Sequence, residues 1–239
     1  MIEKPKVEVC FTPNMFPLYA EDFEVVVVID VLRATSAICT AFHYGVDKII
    51  PVSKLDQAIE YKDKGYYVAA ERKGKIVSGF EFGNSPLSYT NDKLKDQTLV
   101  LTTTNGTKAI NMAKDIKQLL IGSFLNLDAI CNYLIELNKS VLILGSGWEN
   151  KFCLEDSICA GAISEQLLKT NKFESNNDST IAAKYLFLSA KSNYFGYLKA
   201  SSHRKRLKKL NLNEDIKYCL TPNQTDVVPV REDYYLKKL

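Results

Sequence analysis

Five consecutive β-branched residues, Val25 to Ile29, run straight into a carboxylate, Asp30, and Arg33 follows three positions later. A run with no polar alternation suits a strand buried on both faces, as in the middle of an α/β sheet. Asp30 stands where such a strand emerges. Beyond it Ile38, Ala41 and Phe42 recur at helical spacing, and Gly45 takes the place of a C-terminal glycine. The stretch 25–44 therefore reads strand, polar turn, helix. In open α/β sheets, ligands bind at this edge, outside the carboxyl ends of the strands. Asp30 and Arg33 become candidates for chemistry on that ground. The ordinary alternatives are a strand-end acid, a surface ion pair and, for Thr35 and Ser36, a helix cap.

The design recurs. Tyr67 to Ala70 reads as a strand that runs into Glu71-Arg72 and then into ERKGKIVSGFEFGNSP, 71–86, rich in turn formers. A third strand, Thr98 to Leu101, leads into TTTNGTKA, 102–109, and a helix carrying Ala109, Ile110 and Ala113. Hydroxyls, an asparagine and a glycine ahead of a helix make a cradle for an anion, or else a tight turn with threonine caps. After a strand at Ser140 to Leu144 comes GSGWENKFCLEDSICAG, 145–161. It lacks the third glycine of a dinucleotide fingerprint. Its Glu155 and Asp156 open a helix, where acids usually serve the helix dipole.

The remaining elements are read more coarsely. Strands are expected at Lys6–Phe11, Lys48–Val52 and Gln118–Gly122, and helices at 53–64, 126–137 and 185–190. Residues 12–23 and 171–180 read as loops. SSHRKRLKKL, 201–210, reads as a helix with His203 and Arg206 on one face. DVVPV, 226–230, reads as an edge strand, because Pro229 would break a central one.

Composition excludes some functions. A net charge of +3 over 239 residues gives no ground for nucleic-acid or membrane binding, and no apolar run is long enough to span a bilayer. The N-terminal residues contain no apolar signal core, and the six cysteines form no CxxC pair, which together suggest a reducing cytoplasm. None of the cysteines lies beside a histidine in the sequence, so none is expected to be catalytic; Cys153, next to two acids, is the nearest to an exception. Only five of the 31 basic residues are arginines. Each is worth weighing, since lysine cannot copy a bidentate grip on an oxyanion.

Taken as an ordered set, IDVLRATS (29–36), ERKG…GFEFGNSP (71–86), TTTNGTKA (102–109) and FCLEDSICAG (152–161) resemble the 2-phosphosulfolactate phosphatase family, the ComB-like proteins. SSHRKRLKKL…DIKYC extends the match to Cys219. The resemblance implies a layered α/β/α fold with a mixed, largely parallel sheet. Residues 1–239 would make one domain or two closely packed halves. It implies a magnesium-dependent hydrolase that converts 2-phosphosulfolactate to sulfolactate and phosphate, a step of coenzyme M biosynthesis. Asp30, Glu71 and Asp156 are then candidates for Mg²⁺ binding or water activation. Arg33, Thr103, Thr104, Asn105 and Gly106 would hold the phosphate. Arg72 and Asn84 would meet the second anionic end, with Glu155, His203 and Arg206 also at the substrate. The expected partner is a small anionic phosphomonoester, with a homodimer left open. Two alternatives remain: a phosphatase of another small phosphorylated 2-hydroxy acid, and a non-catalytic anion-binding protein.

Overall fold

The structure, a computed structural model, describes residues 3–239; the first two residues of the segment read above for a signal core lie outside the described residues. Its strands are β1 (Val7–Cys10), β2 (Val25–Ile29), β3 (Lys48–Pro51), β4 (Tyr67–Arg72), β5 (Lys75–Ile76), β6 (Thr98–Thr102), β7 (Gln118–Gly122), β8 (Val141–Gly145), β9 (Pro229–Glu232) and β10 (Tyr235–Lys238). They form one mixed sheet in the order β1-β8-β2-β7-β9-β10-β3-β6-β4-β5. The helices are α1 (Ala34–His43), α2 (Leu55–Asp63), α3 (Gly106–Met112), α4 (Leu127–Leu137), α5 (Leu154–Lys169), α6 (Asp178–Ala190), α7 (Tyr194–Tyr197), α8 (Ser202–Lys209) and α9 (Asn213–Cys219). The fold is α/β with a mixed, largely parallel sheet, as the sequence led one to expect.

The opening run explains itself in β2. It pairs in parallel with β7 on one side and β8 on the other. Val25, Val27 and Ile29 point into a core shared with Ile130 of α4 and Ile158 and Ile163 of α5. Val26 and Val28 point into the opposite core with Ile38 and Phe42 of α1 and Ile110 of α3. No side chain of the run is more than 1% exposed, so each contributes roughly 1.5–3 kcal/mol of burial and none is free to be polar.

Two parallel blocks, β1-β8-β2-β7 and β3-β6-β4, are joined by the antiparallel hairpin β9–β10. Three antiparallel junctions in succession leave the blocks running in opposite directions. In a flat sheet their carboxyl ends would lie at opposite edges. The sheet therefore cannot be flat: over the six steps from β2 to β4 it twists and also curls back on itself, since twist alone would leave the strand ends far apart. The ends of β2, β4 and β6 consequently meet around one cavity.

Three expectations need correction. The last strand is not at an edge: β9 lies between β7 and β10. It begins at Pro229, the first position of a strand, where a missing N–H is tolerated, and the hairpin bond just before it uses the Val228 carbonyl, which accepts from the Leu239 N–H at 3.1 Å. Its partner β10 went unread because only Leu236 of its four residues is fully buried, too short a pattern to register. Residues 171–180 are only partly loop: α6 starts at Asp178, with the Asn177 side chain accepting from the Ser179 N–H at 2.9 Å, a cap that the polar composition concealed.

Helices α5 and α6 pack closely at Gly161. A Cβ there would stand 1.9 Å from the Ala183 carbonyl oxygen. Alanine is the better helix former by about 1 kcal/mol, yet it must push one helix backbone off the other. Gly161→Ala is therefore expected to lower the unfolding free energy by about 1–3 kcal/mol in urea titration. A variant as stable as the parent would show that the two helices yield without cost.

Candidate active site

The turn after β2 is fastened from within. Thr35 Oγ1 accepts from the Asp30 N–H at 3.0 Å, and Ser36 Oγ donates to the Val31 carbonyl at 2.8 Å. These hydroxyls fasten the turn rather than cap the helix, since neither takes an N–H of the first turn of α1. Arg33 is no surface residue: it is 3% exposed, with Nη1 donating to Asp215 Oδ1 at 2.7 Å and Nη2 to Asn84 Oδ1 at 2.8 Å and the Gly74 carbonyl at 3.1 Å. Asp30, 8% exposed, stands against the start of α3, where a Cβ on Gly106 would come 2.7 Å from its Oδ2. Only glycine lets α3 start so close to the acid.

Glu71 ends β4 in the same way. It is 4% exposed, and its Oε1 accepts from the Gly74 N–H at 2.5 Å while its Oε2 accepts from the Thr104 N–H at 3.0 Å. The Thr104 hydroxyl donates to the same carboxylate at 3.1 Å. Glu71 thereby locks the 73–74 turn to the loop after β6.

Asp30, Arg33, Glu71, Asn84, Thr104, Asn105 and His203 line one cavity together with Gly74, Trp148 and Leu207. It is small, about 10 Å³, room for roughly one water. A second cavity of about 160 Å³ adjoins it, sharing Gly74, Trp148, His203 and Leu207 and adding Lys73, Glu149 and Arg206. The Arg206 guanidinium lies 4.0 Å from the Trp148 ring centroid, and its Nε and Nη2 are buried without a hydrogen-bond partner.

Other expected site residues serve the fold instead. Arg72 turns back, donating to the Glu71 carbonyl at 2.6 Å and to Thr102 Oγ1 at 3.0 Å, and does not line the cavity. Thr103 caps α3, its Oγ1 accepting from the Thr107 N–H at 3.1 Å. Of the three threonines read as an anion cradle, only Thr104 reaches the cavity. Asn84 reaches it, but its carbonyl oxygen is committed to Arg33. Asp156 lies off the cavity wall: Oδ1 accepts from the Val31 N–H at 2.9 Å and Oδ2 from the Gly147 N–H at 3.2 Å, which ties the end of β2 to the loop after β8.

Glu155, 1% exposed, serves no helix dipole at the surface. Its Oε1 lies 2.5 Å from His203 Nδ1 and accepts from the Cys153 thiol at 2.9 Å. Cys153 Sγ and His203 Nδ1 are 3.9 Å apart, so the one cysteine singled out does lie beside a histidine, from a helix some fifty residues along the chain. The residues that sequence reasoning missed are Asp215, Trp148 and Gly74. Asp215 opens the DIKYC segment, yet nothing local distinguishes it from the acidic first turn of any helix.

The electrostatics are those of crowded acids. Burial pushes Asp30 up to about 6; the nearby Glu71 and Glu155 charges add to this, and His203 offsets part of it. Burial, then the charges of Asp30 and Glu155, hold Asp156 well above the usual carboxylate range. Burial pushes Glu155 the same way, but the His203 hydrogen bond and charge and the Cys153 thiol outweigh it, leaving Glu155 below its ordinary value. Burial, reinforced by Glu155 and Asp156, drives the Cys153 thiol well up.

Magnesium takes oxygen ligands, usually one or two carboxylates, completed by water and phosphate. Asp30 and Glu71, the two carboxylates on the cavity wall, fit that donor set. Asp156 does not join them as a third.

The family profile described as 2-phosphosulpholactate phosphatase matches residues 10–234. A relative from Clostridium novyi named "Probable 2-phosphosulfolactate phosphatase" is 41% identical over 207 residues, covering 85% of this chain and 87% of its own. One of the same name from Caldanaerobacter subterraneus subsp. tengcongensis is 39% identical over 208 residues, covering 85% and 86%. A third, from Cyanothece, is 36% identical over 236 residues, covering 95% and 96%. With its strand ends gathered on a buried arginine and two carboxylates, and with these matches along nearly its whole length, the chain belongs to the 2-phosphosulfolactate phosphatase family.

Proposed function

We propose that the protein hydrolyses 2-phosphosulfolactate to sulfolactate and inorganic phosphate, with Mg²⁺ as its cation. The observation that carries this reading is Arg33, a guanidinium buried in a cavity that it shares with the carboxylates of Asp30 and Glu71. A guanidinium has five N–H donors, and three of them are engaged by Asp215, Asn84 and Gly74. The remainder are left for phosphoryl oxygens, and the ring of acceptors fixes the fork before substrate arrives. Preorganised donors of this kind stabilise charge as it develops in the transition state.

When bound between Asp30 and Glu71, Mg²⁺ would neutralise phosphoryl oxygens and orient the reacting groups. Thr104, fixed by Glu71, and Asn105 form the floor beside the phosphate. His203 keeps Nδ1 on Glu155, which leaves its other ring nitrogen to hydrogen-bond a substrate oxygen. The sulfonate end belongs in the outer cavity. There Arg206, stacked on Trp148 with two unpartnered nitrogens, and Lys73 supply the positive charge that Arg72 was expected to give.

Phosphate release from 2-phosphosulfolactate should stop on full chelation and return with Mg²⁺. Release that survives EDTA removes the cation from this reading. A screen of other phosphorylated 2-hydroxy acids, run in parallel, decides the substrate: turnover of these without turnover of 2-phosphosulfolactate overturns the assignment, and phosphate binding with no turnover of any points to an anion-binding protein.

Asp30 and Arg33 should fail differently. Asp30→Asn keeps the shape and removes the charge; kcat should fall by about 10²-fold or more. The melting temperature should hold or rise, because clustered acids oppose stability. Arg33→Lys keeps the charge and loses the fork, so phosphate affinity and kcat should fall together. Near-parental kinetics for Asp30→Asn would remove the chemical role given to this acid.

A further inference from the structure

The three groups at the start of α5 and on α8 have a donor chemistry that the reading above does not use. Cys153 Sγ, a Glu155 carboxylate oxygen and His203 Nδ1 all lie within 4.8 Å of one another, and all three residues are buried. Glu155 is 1% exposed, yet its Oε2 is a buried carboxylate oxygen with no hydrogen-bond partner. An unpartnered carboxylate oxygen away from water is costly, and a cation would satisfy it.

The surroundings favour a cation as well. Asp30 and Asp156 both act on this cluster through their charges. The nearby arginine, Arg33, is already matched by Asp215.

The donors select the ion. Sulfur, imidazole nitrogen and a single carboxylate are poor ligands for Mg²⁺, which prefers oxygen, and are ligands that zinc and its neighbours take readily. In a tetrahedral site with Zn–S near 2.3 Å and Zn–N near 2.0 Å, sulfur and nitrogen stand about 3.5 Å apart. Cys153 Sγ and His203 Nδ1 are 3.9 Å apart, within a few tenths of an ångström of that spacing, while Glu155 Oε1, 2.5 Å from Nδ1 and 2.9 Å from Sγ, has to draw back to admit an ion among the three. On binding, the Cys153 thiol would lose its proton to solvent, the neutral His203 ring would carry its proton on Nε2, and the Glu155 carboxylate, now hydrogen-bonded to both neighbours, would turn to the metal. Three protein ligands leave a fourth position open, unlike closed structural zinc sites.

We propose that Cys153, Glu155 and His203 form a binding site for a zinc-class divalent cation, separate in its ligands from the carboxylates assigned to Mg²⁺. The site does not depend on the substrate reading. Because His203 also lines the inner cavity and packs on Trp148 at 5.3 Å between centroids, an ion here would fix the ring that faces substrate.

The test is titration of the reduced, chelator-treated full chain with Co²⁺, followed by absorption. A thiolate-to-cobalt charge-transfer band should grow with visible d–d bands of tetrahedral intensity and saturate at one cobalt per chain. Millimolar Mg²⁺ should leave it in place, and stoichiometric Zn²⁺ should bleach it. Cys153→Ser should abolish the charge-transfer band. His203→Gln, which keeps the thiol, should weaken cobalt binding by at least about 10-fold, and so should Glu155→Gln. Circular dichroism checks that each variant is folded; if Cys153→Ser is not, the two ligand variants that keep the thiol decide. Absence of the band in the parent, a band that persists in folded Cys153→Ser, or affinities unchanged in both His203→Gln and Glu155→Gln would each overturn the proposal.

Discussion

The architecture of the site turns on the buried ion pair of Arg33 with Asp215. Taking a guanidinium out of water is expensive, and it persists there only when its N–H groups are paired and its charge is met. Asp215 on α9 meets the charge, while Asn84 and the Gly74 carbonyl take the other donors. Those three acceptors come from three separate stretches of chain. Arg33 is therefore the clasp that draws α9, the 73–74 turn and the loop before residue 86 onto the end of β2, and in the proposed reading it is also the cation that the cavity offers an anion. Removing either partner leaves a buried charge alone, so folding and anion recognition are coupled at this point.

Much of this was legible because one-dimensional patterns carry one-dimensional information. A β-branched run followed by an acid gave β2, its burial on both faces and the emergence of Asp30. Strand–turn–helix repeats gave β4 with Glu71, and β6 with Thr104 and Asn105. What stayed hidden is what depends on long-range pairing. Asp215 looks like an ordinary first-turn acid until it is placed opposite Arg33, 182 residues away in the sequence. Cys153 and His203 are fifty residues apart in sequence. The interior position of β9 follows from a hairpin whose second strand has a single fully buried side chain. Composition also misled in one direction: turn-rich, hydroxyl-rich loops suggest ligand binding, yet Thr35, Ser36, Thr102 and Thr103 are all committed to the backbone or to Arg72.

The acids make the same point in energetic terms. Asp30, Glu71, Glu155 and Asp156 all occupy strand ends or helix starts, and in sequence they are interchangeable candidates. Their hydrogen bonds separate them. Asp156 has each oxygen on a backbone N–H from a different loop, which makes it a staple. Glu71 is tied at both oxygens as well, yet it still fronts the cavity. Glu155 is engaged on one oxygen and orphaned on the other. Asp30, pressed against Gly106, faces the cavity with its carboxylate raised by burial. Acids so close together cannot all remain charged and dry without counter-charge, and a guanidinium already matched by Asp215 with one imidazole on Glu155 does not supply it for all four. A cation drawn to this edge relieves that repulsion whichever substrate is present.

Size adds a dynamic requirement. The inner cavity has room for about one water, and a phosphoryl group is several times larger. One wall must therefore yield when substrate enters. The walls carried by β2 and β4 are fixed by the ladder and by Glu71 and Arg33. Trp148, with His203 and Leu207 of α8, an eight-residue helix, supplies a further part of the lining, beside Thr104 and Asn105 of the loop after β6. Short helices with few buried residues are the cheapest elements to displace. The outer cavity already reaches this wall from the solvent side and carries Arg206 and Lys73 on it. An anion arriving there meets Arg206 and Lys73 together with one carboxylate, Glu149, so the outer cavity carries an excess of positive charge ahead of the acids of the inner one.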